Sequence, residues 1–174
     1  MNRYLLDTDV FIQAKNRHYG FDFCPAFWDW LVEQNRAGRV ASIEKVAEEL
    51  YSGEDELVKW AEKRSEAFFL RPDSAVLAAA PAVSKWANSN NYKPAAVHTF
   101  LQVADYWLVA HALAHDWTVV THEVRNDSAK KIKIPNACIG LGLRCVTPYE
   151  MLRRERARFV LARVAVVKCG EGSP

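Results

Sequence analysis

Acidic residues stand where buried strands would end. Tyr4-Leu5-Leu6 is a short apolar run closed by Asp7-Thr8-Asp9, the pattern of a core strand entering a loop. Glu123 stands in the same relation to Val119-Val120, across the link Thr121-His122. In open α/β sheets, sites form outside the carboxyl ends of the strands, so two acids at two strand ends point to one rim. Asp105 follows Leu101 by four residues and precedes Leu108 by three, which puts it on the border of an apolar helical stripe. A carboxylate against apolar surface is costly unless its charge is compensated. Glu48 and Glu49 raise the same question, since Val46 and Leu50 should face the core and one glutamate must lie near that edge. Carboxylates brought together repel one another and raise each other's pKa. A hard divalent cation removes the conflict; it can orient a phosphodiester, lower the pKa of a water and stabilise a departing oxyanion. Each residue taken singly also has a plainer reading. Asp7 would serve as a helix N-cap, Asp105 would pair with a basic side chain, and the glutamates would be solvated.

The elements that must position these residues are legible from periodicity. Pro25 opens an amphipathic helix through Phe27, Trp28, Leu31 and Val32, with Gly38 just beyond its end. Val40-Ala41-Ser42 predicts a second strand, with Ser42 as N-cap of a helix that carries Ile43, Val46, Ala47 and Leu50 on one face. Leu57, Trp60 and Ala61 mark another helix, and Phe68-Phe69-Leu70 reads as a strand closed by Arg71-Pro72-Asp73. A helix from Val76 to Trp86 gives way to the polar segment Asn88-Ser89-Asn90-Asn91. Pro94 is expected to begin the longest helix, apolar at Val97, Leu101, Ala104, Leu108 and Ala112. Thr118-Val119-Val120-Thr121 and Cys145-Val146-Thr147 predict the last strands, and Tyr149, Met151 and Leu152 start a basic C-terminal helix. Strands alternating with helices imply a parallel sheet covered on both faces. The 174 residues suit one domain, placed at 1–165, with 166–174 as a tail.

Four segments in order carry a family resemblance: Tyr4-Leu5-Leu6-Asp7-Thr8, Val46-Ala47-Glu48-Glu49-Leu50-Tyr51-Ser52-Gly53, Ala104-Asp105-Tyr106-Trp107-Leu108-Val109-Ala110-His111-Ala112, and Val119-Val120-Thr121-His122-Glu123. Over about 150 residues, from the first strand to Met151, the chain resembles the PIN-domain family. It looks closest to a PIN-like bacterial group in which Lys131-Ile132-Lys133-Ile134-Pro135-Asn136-Ala137-Cys138 is also familiar. The resemblance implies a three-layer α/β/α domain with a central parallel sheet of four to five strands. It further implies an acidic cluster that binds Mg2+ or Mn2+ and cleaves RNA, as in the VapC kind of ribonuclease toxin. Carried over by motif, the metal and catalytic residues are Asp7, Glu49, Asp105 and Glu123, with Glu48 a rival for Glu49 and Asp127 for Glu123. Glu123 is a departure, because the family usually has aspartate there. Asp7 and Asp105 would hold the metal and Glu49 would complete its sphere. Glu123 would position the attacking water or a second ion, and in-line attack would leave a 5′-phosphate and a 3′-hydroxyl. Thr8, Arg125, Lys130, Lys131 and Lys133 would contact the substrate. The implied partners are RNA, a protein antitoxin and a second copy of the chain.

The remaining composition narrows the alternatives. A formal net charge of +2 neither announces nor forbids a nucleic-acid partner, since local patches matter more than totals. Beyond the lysine-rich loop, the C-terminal helix would present Arg153, Arg154, Arg156, Arg158 and Arg163, with 154 and 158 on one face and 156 and 163 on another. A solvated basic face or an antitoxin-binding surface explains these equally. His111 and His115 have zinc-ligand spacing, but Ala112 stands where the zincin pattern needs glutamate. His122 is placed near the site by its neighbours. Four cysteines form no CxxC pair and suggest a reduced, cytoplasmic protein with free thiols. No apolar run is long enough for a membrane span. The six tryptophans are read as core, with Trp107 a candidate for the cleft. Two rival functions stand. One is a haloacid-dehalogenase-like phosphatase using Asp7-Thr8-Asp9, opposed by Phe11 and by the lack of a later Asp-Asp pair. The other is a PIN scaffold that binds RNA or protein without cutting. The seven glycines form no nucleotide-binding loop.

Overall fold

The apolar runs pair as five parallel strands: β1 (Tyr4–Leu6), β2 (Val40–Ile43), β3 (Phe69–Leu70), β4 (Thr118–Val120) and β5 (Cys145–Val146). The structure is a computed structural model and describes residues 2–64 and 66–160. Strand order is β3-β2-β1-β4-β5. Every residue of β1, β2 and β4 is buried, whichever way its side chain points. Such strands need helices on both faces, and the three-layer α/β/α arrangement expected from the alternation is what forms. From β1 the chain builds outward through β2 to β3, then returns to add β4 and β5 on the other side. The switch point therefore lies between β1 and β4, where Leu6 pairs with Val120.

The helices are α1 (Thr8–Gln13), α2 (Pro25–Arg36), α3 (Glu44–Leu50), α4 (Glu56–Glu62), α5 (Ser74–Ser89), α6 (Pro94–Gln102), α7 (Ala104–His115), α8 (Ile134–Gly140) and α9 (Pro148–Arg154). A π-helical turn at Ala14–His18 extends α1. Prolines at the first turns of α2, α6, α8 and α9 fit positions whose backbone N–H has no helical acceptor. Phe11, Trp28, Trp60, Phe68 and Phe69 pack ring against ring beside the sheet. Of the six tryptophans only Trp28 is fully buried; the other five are half-buried and lean on the core.

Three expectations need correction. The helix predicted from Pro94 is two helices, because Val103 takes an extended conformation (φ −102°, ψ 172°) that valine's β-branched side chain favours. The longest described helix is instead α5, with 16 residues. Ser42 is not an N-cap: it lies inside β2, wholly buried, and its hydroxyl donates to the Leu6 carbonyl at 2.6 Å. Ile43 occupies the N-cap position of α3 without a side-chain bond. The basic C-terminal helix stops at Arg154, where Arg156 turns left-handed (φ +53°) and the Ala157 N–H closes onto the Leu152 carbonyl at 2.9 Å. Arg154 and Arg158 thus share no helical face, and Arg163, Cys169 and the tail lie outside the described residues.

Candidate active site

Asp7 leaves β1 at the switch point and caps α1. Its Oδ1 accepts the Thr8 N–H at 2.7 Å, and its Oδ2 accepts the Thr121 hydroxyl at 2.8 Å from beyond β4. The cap reading therefore holds, and the cap stands at the switch point of the sheet. Asp7 is only 5% exposed. Burial first, then the charges of Asp9 and Asp105, push its pKa well above the ordinary carboxylate range.

Asp105 sits in the first turn of α7, made possible by the break at Val103. It is half-buried, and among the described residues it accepts no hydrogen bond and joins no ion pair. The plainer reading of a basic partner therefore fails. Its pKa is pushed up to about 6, first by burial, then by Glu123 and Glu49, with Lys131 opposing and Asp9 adding.

Glu49 and Glu48 part company at the end of α3. Glu48 turns out to Lys45 at 2.6 Å, whereas Glu49 turns inward. Glu49 Oε1 accepts the Ala104 N–H at 3.2 Å, and Oε2 accepts the Thr8 hydroxyl. It bridges the starts of α1 and α7, the two helices that carry the aspartates. The bond to Ala104 serves an N–H that the helix break at Val103 leaves without a helical acceptor.

Glu123 faces a different set of partners. It accepts the Ile134 N–H at 2.9 Å and the Lys133 ammonium, with Lys131 at 3.6 Å. Its own N–H donates to the Thr121 hydroxyl at 3.0 Å, so Thr121 links it to Asp7. Lys133 is thereby committed to Glu123, which raises its pKa above the ordinary lysine value. Asp127, the rival for this place, is exposed and meets Arg125 at 3.1 Å.

Asp9 joins the cluster and was not singled out as a site residue from the sequence. Its Oδ1 accepts the His122 N–H at 3.2 Å, and its charge acts on both Asp7 and Asp105. The signal was present, since an acid three residues past a strand end, in the first turn of a capped helix, shares the rim. Among the described residues no three His, Cys, Asp or Glu side chains converge closely enough to enclose an ion as they stand. The donor chemistry nonetheless fits a hard divalent cation: oxygen ligands, mutual repulsion, and one carboxylate, Asp105, with no protein partner.

Lys130 and Lys131 line a groove of about 440 Å³ with Glu49, Asp105, Phe100 and Ile132. Arg125 lies outside it, and Trp107 packs on Tyr106, ring centroids 5.1 Å apart, without lining it. His122 lies beside the rings of His18 and Tyr149 at 5.6 and 5.7 Å, and burial lowers its pKa. His115 meets Asp73 at 3.0 Å, while His111 is buried with its Nε2 unpartnered among the described residues. Cys24, Cys138 and Cys145 are free thiols, and no described helix is long and apolar enough to cross a membrane.

Strand order, covered sheet and an acidic switch point together define a PIN-like fold. Residues 4–159 match the family described as "Domain of unknown function (DUF4411)", and the chain belongs to that family. Among solved structures it is similar to that described as "Crystal Structure of FitAcB from Neisseria gonorrhoeae", with 19% identity and a TM-score of 0.52. That likeness covers 84% of this chain and 98% of the other, and it concerns the fold. No curated protein sequence matches the chain.

Proposed function

We propose that the chain is a Mg2+- or Mn2+-dependent endoribonuclease, acting as the toxin of a toxin–antitoxin pair. The observation that carries this reading is Asp105, a half-buried carboxylate without a protein partner, in the field of Glu123, Glu49 and Asp9. Asp7 and Asp105 would hold the metal, with Asp9 beside them. When bound, the ion would supply Lewis-acid polarisation of the scissile phosphate and offset the charge that builds on it.

The chain's own groups have separable roles under this proposal. Thr121 and the Thr8 N–H fix the plane of the Asp7 carboxylate. Glu49 is a positioning residue, since it ties Thr8 to Ala104 and so aligns Asp7 with Asp105. Lys130 and Lys131 attract substrate phosphate along the groove beside Asp105. Glu123 holds the lysine loop through Lys133 and Ile134. The test is cleavage of a mixed RNA with manganese by Asp7→Asn and Asp105→Asn. Each variant is expected to lose at least about 100-fold in rate with its circular dichroism unchanged. Full activity in both would remove the mechanism.

A second reading is a PIN scaffold that binds RNA or protein without cutting. The neutralisation of Glu123 by Lys133 and the lack of a closed trio of ligands among the described residues favour it. Calorimetric titration with manganese separates the two, because a binding module need take up no ion. An antitoxin and a second copy of the chain are the proposed protein partners.

A further inference from the structure

A second cleft, of about 430 Å³, lies between the end of α5 with the segment that follows it, the length of α8, and the loop after β4. We infer that this cleft, walled by Trp86 and Tyr92 and edged by Asn91, Arg125 and Asn136, takes an unpaired nucleobase of RNA. The inference deepens the ribonuclease reading by giving its substrate a place where one base is recognised.

Its position relative to the acidic groove is set by one hydrogen bond. The Lys93 N–H donates to the Ala129 carbonyl at 2.8 Å. Asn91, Tyr92 and Ala129 lie on the cleft side of that bond, and Ala95, Lys130 and Lys131 on the groove side. A strand whose phosphate sits near Asp105 could therefore cross this bridge and deliver a neighbouring nucleotide to the cleft. Duplex RNA keeps its bases stacked and paired inside, so only a single strand can do this.

The chemistry of the lining suits a base. The Trp86 and Tyr92 rings lie 5.8 Å apart at 57°, offering faces on which any base can stack. Among the described residues the Asn91 side-chain amide has no protein hydrogen bond, and it is exposed. An amide presents a donor and an acceptor side by side, which is what a base edge requires. The Asn136 amide is committed to the backbone of Asn126, which fixes the loop that carries Arg125. Arg125 adds a guanidinium beside its contact with Asp127. Gly140 keeps the wall in place: a Cβ there would come within 1.9 Å of Trp86 Nε1.

The test uses the whole chain with no added metal and the four ribonucleoside 5′-monophosphates as probes. NMR would follow the Trp86 indole N–H, assigned with Trp86→Phe, and the Asn91 side-chain amide. At least one nucleotide should shift both signals in the millimolar range, with inorganic phosphate inert. Tyr92→Leu, folded by the same spectrum, should weaken that shift about 10-fold or more. No shift from any nucleotide, an equal shift from phosphate, or an unchanged affinity in Tyr92→Leu would overturn the assignment. Because no cleavage is measured, loss of the nuclease reading through Asp7→Asn and Asp105→Asn leaves this result standing, and the reverse holds as well.

Discussion

Asp105 has two consequences that a merely structural aspartate would not show. Its proton affinity in the folded chain exceeds its unfolded value, so its stabilising, protonated form is fully present below about pH 4. That contribution is lost as pH rises through about 6, and above it the charged group opposes folding. Asp105→Asn should therefore raise the stability of metal-free protein at pH 7 by about 2 kcal/mol, allowing for solvent screening at a half-buried site. Urea denaturation in EDTA measures this; a loss of stability would show that Asp105 is held by something other than a cation. Manganese should raise the melting temperature of the natural sequence and leave the variant unmoved. At this scale the sequence points to acids that share the sheet rim and says little of what they touch. Asp7, Asp105 and Glu123 each border an apolar run, whereas only the family resemblance chose Glu49 over Glu48. Nothing in one dimension says that Lys133 rather than substrate meets Glu123, or that Glu49 rather than Glu48 turns inward, since both glutamates border the same buried stripe.

The elements that bring these residues together turn on the break at Val103. Apolar periodicity runs through the break without interruption, and no proline or glycine marks it, so a single helix was the natural expectation. Its physical sense is tertiary: the break places Asp105 in a first turn, where the helix dipole favours negative charge, and offers the Ala104 N–H to Glu49. Glu49→Ala should cost about 1 kcal/mol by leaving that N–H without its acceptor. It should also slow RNA cleavage. Glu49→Gln keeps an amide oxygen for Ala104 and should recover the stability; if it recovers the rate as well, Glu49 acts by position and not by charge. The end of α9 was harder to read than its start. Thr147 was expected to close the last strand, but with Glu150 it forms the capping box that starts α9. Its stop depends on Arg156 accepting a left-handed conformation, which arginine seldom adopts and no pattern announces.

Across the whole molecule, the fold class follows from the alternation of strands and helices, whereas the strand order comes from the structure. Five short apolar runs separated by helices can be buried only in a covered parallel sheet, and β1, apolar and short, takes the middle. The clefts were not legible, since they arise from loops meeting across the sheet rim. His111 gives the molecule its clearest acid response: burial lowers its pKa to about 4, so its neutral form favours the fold. Stability should fall as pH drops through 6.5 towards 4, by up to about 3 kcal/mol from this residue, opposite in sign to the Asp105 effect. Melting of His111→Leu against pH should show a flatter acid limb. RNA affinity should also depend on salt, and Lys130→Ala or Lys131→Ala should each reduce the salt slope by about one. An unchanged slope in both would place the RNA elsewhere.

The central position of β1 also governs what an unfinished chain can do. Asp7 emerges from the ribosome 114 residues ahead of Thr121, the side chain that fixes it, and β1 has no neighbour on that side until β4 follows. Tyr4 of the same strand waits longer still, for Glu155, whose carboxylate accepts its hydroxyl at 2.8 Å. During synthesis the acidic rim is therefore incomplete for most of translation, and the Asp7 carboxylate takes its place only after β4 and Thr121 have been made.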